Sequence, residues 1–109
     1  MDSHALLIID MQHDFAVPGG ACEVPGAHAT IGAIRKVLTR FRDLGWPVFH
    51  VVREYRADGS DVEISRQEAL ARKPMVVPGT PGVRIVPGLE PIEGEYRIVK
   101  QRFSAFMFT

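Results

Sequence analysis

The sequence predicts an α/β fold, an open and mostly parallel sheet with helices on both faces, and three features carry that reading. The apolar runs Ala5-Leu6-Leu7-Ile8-Ile9 and Val48-Phe49-His50-Val51-Val52 are continuous rather than alternating, as in strands covered on both faces. A stretch with helical periodicity lies between them, so the order is strand–helix–strand, which implies a right-handed crossover and a parallel pair. A third short strand, Tyr96-Arg97-Ile98-Val99, ends at Lys100.

The first strand stops at Asp10. Met11 to Gly26 has no clean period and contains Pro18-Gly19-Gly20 and Pro25-Gly26, so it reads as loop. Ile31, Ile34, Leu38, Phe41 and Leu44 then recur at steps of three or four, while Arg35, Lys36, Arg40 and Arg42 fall on other faces. This predicts an amphipathic helix over residues 29–44. Gly45 suits the left-handed position after its C-terminus, Pro47 prevents continuation, and Arg40 and Arg42 complement the negative end of the dipole. Ser60-Asp61-Val62-Glu63 fits a capping box, predicting a second helix from Asp61 to Arg72 that Pro74 stops. Residues 78–94 hold four prolines and four glycines and read as a long ordered loop, of a length that is often functional. Ser104 to Thr109 looks like the approach to another helix.

With 109 residues the chain allows one ordinary domain, and 46% hydrophobic against 24% charged residues excludes a disordered chain. Thirteen Lys and Arg balance thirteen Asp and Glu, which leaves no electrostatic footprint for nucleic acid or an anionic membrane. The longest apolar run, Ala5–Ile9, is far short of the roughly 20 residues of a membrane span. Met-Asp-Ser-His leads into no signal-peptide core, and a single cysteine, Cys22, permits no internal disulfide, so a cytoplasmic location is expected. An open parallel sheet usually has about five or six strands. With only three here, residues 1–109 are expected to be the N-terminal part of a single domain, or to be completed by another chain. The alternative is a small complete α/β domain.

Asp10 and Lys100 each sit at the C-terminal end of a predicted parallel strand, where open α/β sheets form their sites. A carboxylate and an ammonium meeting there would hold each other charged, either for function or as a structural ion pair. Asp10 with Gln12-His13-Asp14 offers carboxylate and imidazole ligands, but the spacing matches no strong metal signature. His50, inside an apolar strand, reads as a hydrogen-bonded core histidine. Cys22 has no evident base nearby and reads as non-catalytic. No Gly-x-Gly-x-x-Gly follows the first strand, which disfavours a nucleotide site. Arg53, Tyr55 and Arg56 follow the second strand on the Asp10 side and would suit a polar or anionic substrate; the alternative is a solvated loop.

Three segments resemble the isochorismatase-like cysteine hydrolases: Ala5-Leu6-Leu7-Ile8-Ile9-Asp10-Met11-Gln12-His13-Asp14-Phe15, Gly45-Trp46-Pro47-Val48-Phe49-His50-Val51, and Ile98-Val99-Lys100-Gln101-Arg102-Phe103-Ser104-Ala105-Phe106. They stand in order and span nearly the whole chain. The resemblance implies a Rossmann-like sheet of about six strands when complete. It implies a catalytic Asp, Lys and Cys, of which Asp10 and Lys100 match the first two. The family's cysteine follows a fourth strand at a helix start, so here it is expected beyond residue 109. In that mechanism Asp10 takes the thiol proton, Lys100 favours the thiolate, the thiolate attacks an amide-type carbonyl, and water later frees the acid. Neither metal nor other cofactor is required. Phe15, Arg53, Tyr55 and Phe103 are expected to bind substrate. The nicotinamidases of this family carry a metal site that includes an Asp-x-His pair and a further histidine after the second strand. Residues 53–61 contain no histidine, which points away from them and toward the ureido- or biuret-type amidohydrolases. The expected partner is a small-molecule substrate, with no nucleic acid and no membrane, and the resemblance implies a homo-oligomer. Alternative readings are a non-catalytic binding or assembly member of the fold, a vinyl-ether hydrolase of the isochorismatase type, and a small α/β domain with an Asp/His metal site.

Overall fold

The computed structural model describes residues 4–62 and 64–107. It contains a three-stranded parallel sheet of β1 (Leu6–Ile9), β2 (Val48–Arg53) and β3 (Tyr96–Lys100), in the order β1-β2-β3. Leu6 pairs with Val48 and Ile9 with Val51, while Phe49 pairs with Tyr96 and Arg53 with Lys100. The open parallel α/β class is the one predicted. The central strand β2 is buried at every position but Phe49, which accounts for its unbroken apolar pattern.

The helix predicted over residues 29–44 is α2 (Ile31–Leu44), entered through a single 3₁₀ turn at His28–Thr30. Its Ile31, Ile34, Leu38 and Phe41 pack with Leu6, Ile8 and Val48 on one face of the sheet, joined by Val86 and Leu89. At its end the Gly45 N–H donates to the Arg42 carbonyl and the Trp46 N–H to the Phe41 carbonyl, while the Trp46 ring meets the edge of Phe41. This closure needs the left-handed backbone that Gly45 adopts, with φ of 69°. Leu44, predicted on the apolar face, is exposed.

The second face is different. Alternate residues of the strands, Leu7, Phe49 and Tyr96, then Ile9, Val51 and Ile98, line the side opposite α2. Leu7, Ile9 and Tyr96 are 51%, 50% and 55% exposed there.

Two predicted segments differ from expectation. The Met11–Gly26 loop holds one helical turn, α1 (His13–Ala16), whose Phe15 and Ala16 are buried. Asp14 fixes this turn to a distant one: its Oδ2 accepts the Val76 N–H at 2.7 Å. Val76, fully buried, has φ of 45°, a conformation β-branched residues avoid. Its carbonyl accepts the Tyr55 N–H, so both of its backbone groups are held. The helix predicted over Asp61–Arg72 is shorter, a 3₁₀ turn at Ile64–Arg66 followed by α3 (Gln67–Arg72). Ser60, the cap of the proposed box, lies instead in the turn at 56–61: its N–H donates to the Asp58 carboxylate, and the Asp61 carboxylate takes the Arg56 N–H. Glu63 of the proposed capping box lies outside the described residues.

The 78–94 loop contains a 3₁₀ turn at Pro81–Val83 and is largely structural. It buries Val86 and Leu89 and pairs Ile85 with Gln12 in an antiparallel bridge. Residues 101–107 turn without forming a helix, and the remainder of the predicted helix approach falls on residues outside those described. Among the described residues no helix is long and apolar enough to cross a membrane.

Candidate functional site

The C-terminal edge of the sheet brings three charged side chains together. Asp10 leaves β1 after its N–H donates to the Val51 carbonyl, the last rung of that ladder. It then adopts φ of 58°, an uncommon conformation for a non-glycine residue that costs about 1–3 kcal/mol and must be held by its surroundings. Arg53 ends β2, and its register partner Lys100 ends β3. The Lys100 Nζ lies 3.4 Å from Asp10 Oδ2 and the Arg53 Nη2 lies 3.3 Å from the same oxygen. Lys100 is only 3% exposed, and its ammonium also donates to the Phe103 carbonyl at 2.8 Å.

One carboxylate therefore faces two cations, and the trio carries a net positive charge. The pairing is uneven. Both cations meet Oδ2, while among the described residues Oδ1 is buried without a hydrogen-bond partner, as is Nε of Arg53. A buried acceptor left open in this way is costly in a purely structural ion pair and is what a proton-accepting group needs.

Asp10 and Arg53 open onto a cavity of about 340 Å³, whose wall also includes Ile9, Met11, Phe15, Cys22, Val24, Ala27, Arg66 and Phe103. The wall is apolar apart from the carboxylate, the thiol and two guanidinium groups. The Phe103 ring lies 5.1 Å from the Arg53 Cζ and 5.3 Å from that of Arg66, distances suited to cation–π attraction. Lys100 stands behind Asp10, off the cavity wall.

Of the residues expected to bind substrate, Phe15, Arg53 and Phe103 line this cavity and Tyr55 does not. Tyr55 is almost fully buried in a cluster with Phe15, Val62, Met75 and Val76, and its hydroxyl accepts a hydrogen bond from Arg53 Nη1 at 2.9 Å. Arg56 is exposed and belongs to the turn at 56–61. Cys22 reaches the wall, which its place in the first loop did not reveal, but no described base hydrogen-bonds its thiol. Among the described residues no group of three or more His, Cys, Asp and Glu side chains is disposed to hold a metal ion.

Sequence reasoning missed Gln12. Its fully buried amide donates to the carbonyls of Arg53 at 2.7 Å and Val83 at 2.9 Å, and accepts the Arg53 N–H at 2.8 Å. It thus extends the β1–β2 ladder by one side chain and fixes the backbone of Arg53. The only local signal was a polar residue directly after the strand-ending Asp10-Met11.

His50 is buried, as expected, with Nε2 2.8 Å from Glu95 Oε1. Glu95 also receives Arg42, at 2.8 and 3.0 Å on its two oxygens, and the Ile92 N–H. The hydrogen bond from Arg42 above all, then those from His50 and Ile92, hold its carboxyl down to about 2 against the opposing effect of burial.

Residues 4–109 match the isochorismatase domain family. A protein of Arabidopsis thaliana named "Probable inactive nicotinamidase" is 40% identical over 108 residues, covering 96% of this chain and 55% of that one. The crystal structure of an isochorismatase family protein from Desulfovibrio vulgaris superposes with a TM-score of 0.88 at 52% identity, over 95% of this chain and 55% of that one. N-carbamoylsarcosine amidase from Thermoplasma acidophilum gives a TM-score of 0.77 at 28% identity, with the same coverage of 95% and 55%. The chain spans about half the length of the relatives it matches.

Proposed function

Since the chain belongs to the isochorismatase family of cysteine hydrolases, we propose that Asp10 and Lys100 are two members of a hydrolytic centre that cleaves an amide or ureide C–N bond of a small molecule. The third member is a cysteine thiolate from outside residues 1–109, which form the N-terminal part of one hydrolase domain. The observation that carries this reading is the Asp10–Lys100 pair at 3.4 Å, with the second carboxylate oxygen buried and without a hydrogen-bond partner among the described residues.

The chemistry follows from that geometry. Asp10 Oδ1 takes the thiol proton, and the Lys100 ammonium beside Oδ2 favours the thiolate. The sulfur attacks the carbonyl carbon, the C–N bond breaks, and the proton held on Asp10 passes to the departing nitrogen. Water, deprotonated by Asp10, then cleaves the thioester and releases the carboxylic acid. Phe15 and Phe103 form the apolar wall against the substrate, and the excess positive charge contributed by Arg53 and Arg66 favours a substrate with a polar or anionic group. These steps need neither metal nor organic cofactor.

Asp10→Ala and Lys100→Ala in the full-length protein are each expected to abolish turnover of amide and ureide substrates, while the melting temperature shows that the fold survives. Near-wild-type kcat/KM in either variant contradicts the proposal. A second reading, a member of the fold that binds without catalysis, is favoured by the name of the Arabidopsis relative. It predicts ligand binding by the wild-type protein with no turnover at all.

A further inference from the structure

We infer that Arg53 is a positioning residue for the Asp10 carboxylate: it holds Oδ2 jointly with Lys100, so that Oδ1 alone remains to accept a proton. This inference rests on the hydrolytic reading of Asp10.

Neutralising one carboxylate needs one cation, and Lys100 already supplies it. The second cation changes the geometry. Lysine is a point charge on a flexible stem, and this one donates to the Phe103 carbonyl while lying 3.4 Å from Asp10 Oδ2. It can follow the carboxylate through a rotation about χ2. A planar guanidinium fixed elsewhere cannot.

Arg53 is fixed at every level. Gln12 holds its backbone N–H and carbonyl. Its Nη1 donates to the buried Tyr55 hydroxyl. Its Cζ lies 5.1, 5.8 and 6.0 Å from the rings of Phe103, Tyr55 and Phe15. Nη2 is the nitrogen left for Asp10, and it meets the oxygen that Lys100 also meets. The two carboxylate oxygens are thereby made unequal, one held by two cations and one without a hydrogen-bond partner among the described residues. A residue serving chiefly as a substrate anchor would present its terminal nitrogens to the cavity. Here both are engaged by protein groups, and among the described residues only Nε lacks a partner. Gln12 and Tyr55 thus support Arg53 from a further layer, outside contact with the reacting atoms.

The test uses the full-length protein and p-nitrophenyl acetate, an activated ester that an acyl-transferring thiolate cleaves. Arg53→Met is expected to lower kcat by about 10- to 100-fold, the usual cost of losing an orienting partner, with KM almost unmoved. Arg53→Lys should recover part of that loss, since an ammonium reaches Asp10 or Tyr55 but not both. A rise in KM at wild-type kcat would make Arg53 a substrate anchor and overturn the inference, as would wild-type values for both constants. If neither Arg53 variant folds, Tyr55→Phe carries the test, because it keeps the ring and removes only the hydroxyl that aims the guanidinium. A lower kcat at constant KM supports positioning and an unchanged kcat overturns it. Asp10→Asn separates the two levels: its inactivity alongside fully active Arg53 variants sinks this inference alone. Full activity of Asp10→Asn, or no turnover by the wild type, sinks the hydrolytic reading and this inference with it.

Discussion

Asp10 is held in a strained backbone conformation, with φ of 58°, at the point where the β1–β2 ladder ends. Gln12 secures the same corner from two residues further on. Its amide joins Arg53 to Val83 and makes three hydrogen bonds in a fully buried setting. Removing it leaves the Arg53 N–H and two carbonyls unpaired, so Gln12→Ala is expected to cost about 3 kcal/mol. Urea unfolding at neutral pH measures this, and a loss below about 1 kcal/mol would show that water replaces the amide at little cost. Position and charge made Asp10 and Lys100 legible from sequence, because a strand end followed by an ionisable residue is a local pattern. The roles of Gln12 and Tyr55 were illegible, since each depends on a partner brought into reach only by folding: Gln12 meets Arg53 across 41 positions, and Tyr55 is buried by Val62, Met75 and Val76.

At the scale of elements, Glu95 links α2, β2 and the entry to β3 through Arg42, His50 and the Ile92 amide. Its carboxyl is about 2 in the folded chain against an ordinary value of 4.5. A depressed folded value stabilises the native state fully above the unfolded value, and that contribution is lost as pH falls from about 4.5 toward 2. The pH-dependent part is on the order of 3 kcal/mol. Glu95→Gln should therefore be less stable at pH 7 by about 2 kcal/mol and lose less on acidification than the wild type. Urea midpoints at neutral and acidic pH provide the check; parallel losses in the two proteins would contradict the assignment. The strands and α2 were readable because an apolar run, a helical period and Gly45 are local signals. The helix over Asp61–Arg72 was misjudged because Ser60 and Asp61 of the proposed capping box belong to the turn at 56–61, where the Ser60 N–H donates to Asp58 and the Asp61 carboxylate takes the Arg56 N–H. The turn α1 went unread because the burial of Phe15 comes from Tyr55, Met75 and Val76, far along the chain.

For the whole molecule, the parallel order of three strands aligns Asp10, Arg53 and Lys100 along one edge, and this topology creates the candidate site. The strand order itself was only partly legible: a strand–helix–strand unit predicts that β1 and β2 run parallel, whereas the placement of β3 beside β2 came from no local signal. The face that presents Leu7, Ile9 and Tyr96, and the groove of about 320 Å³ between β1 and α2 lined by Ile9, Ala33 and Val37, agree with a chain that spans half the length of its relatives. Phe106 is 94% exposed, and Phe103 lies against two guanidinium groups. In the proposed mechanism the Asp10–Lys100 pair activates a thiolate from outside residues 1–109. Rapid quenching of the full-length protein during p-nitrophenyl acetate turnover, followed by peptide mass spectrometry, tests it most directly. An acetyl adduct is expected on a cysteine other than Cys22, formed by the wild type and lost in Asp10→Asn. An adduct on Cys22, or one that forms equally fast without the Asp10 carboxylate, would contradict it.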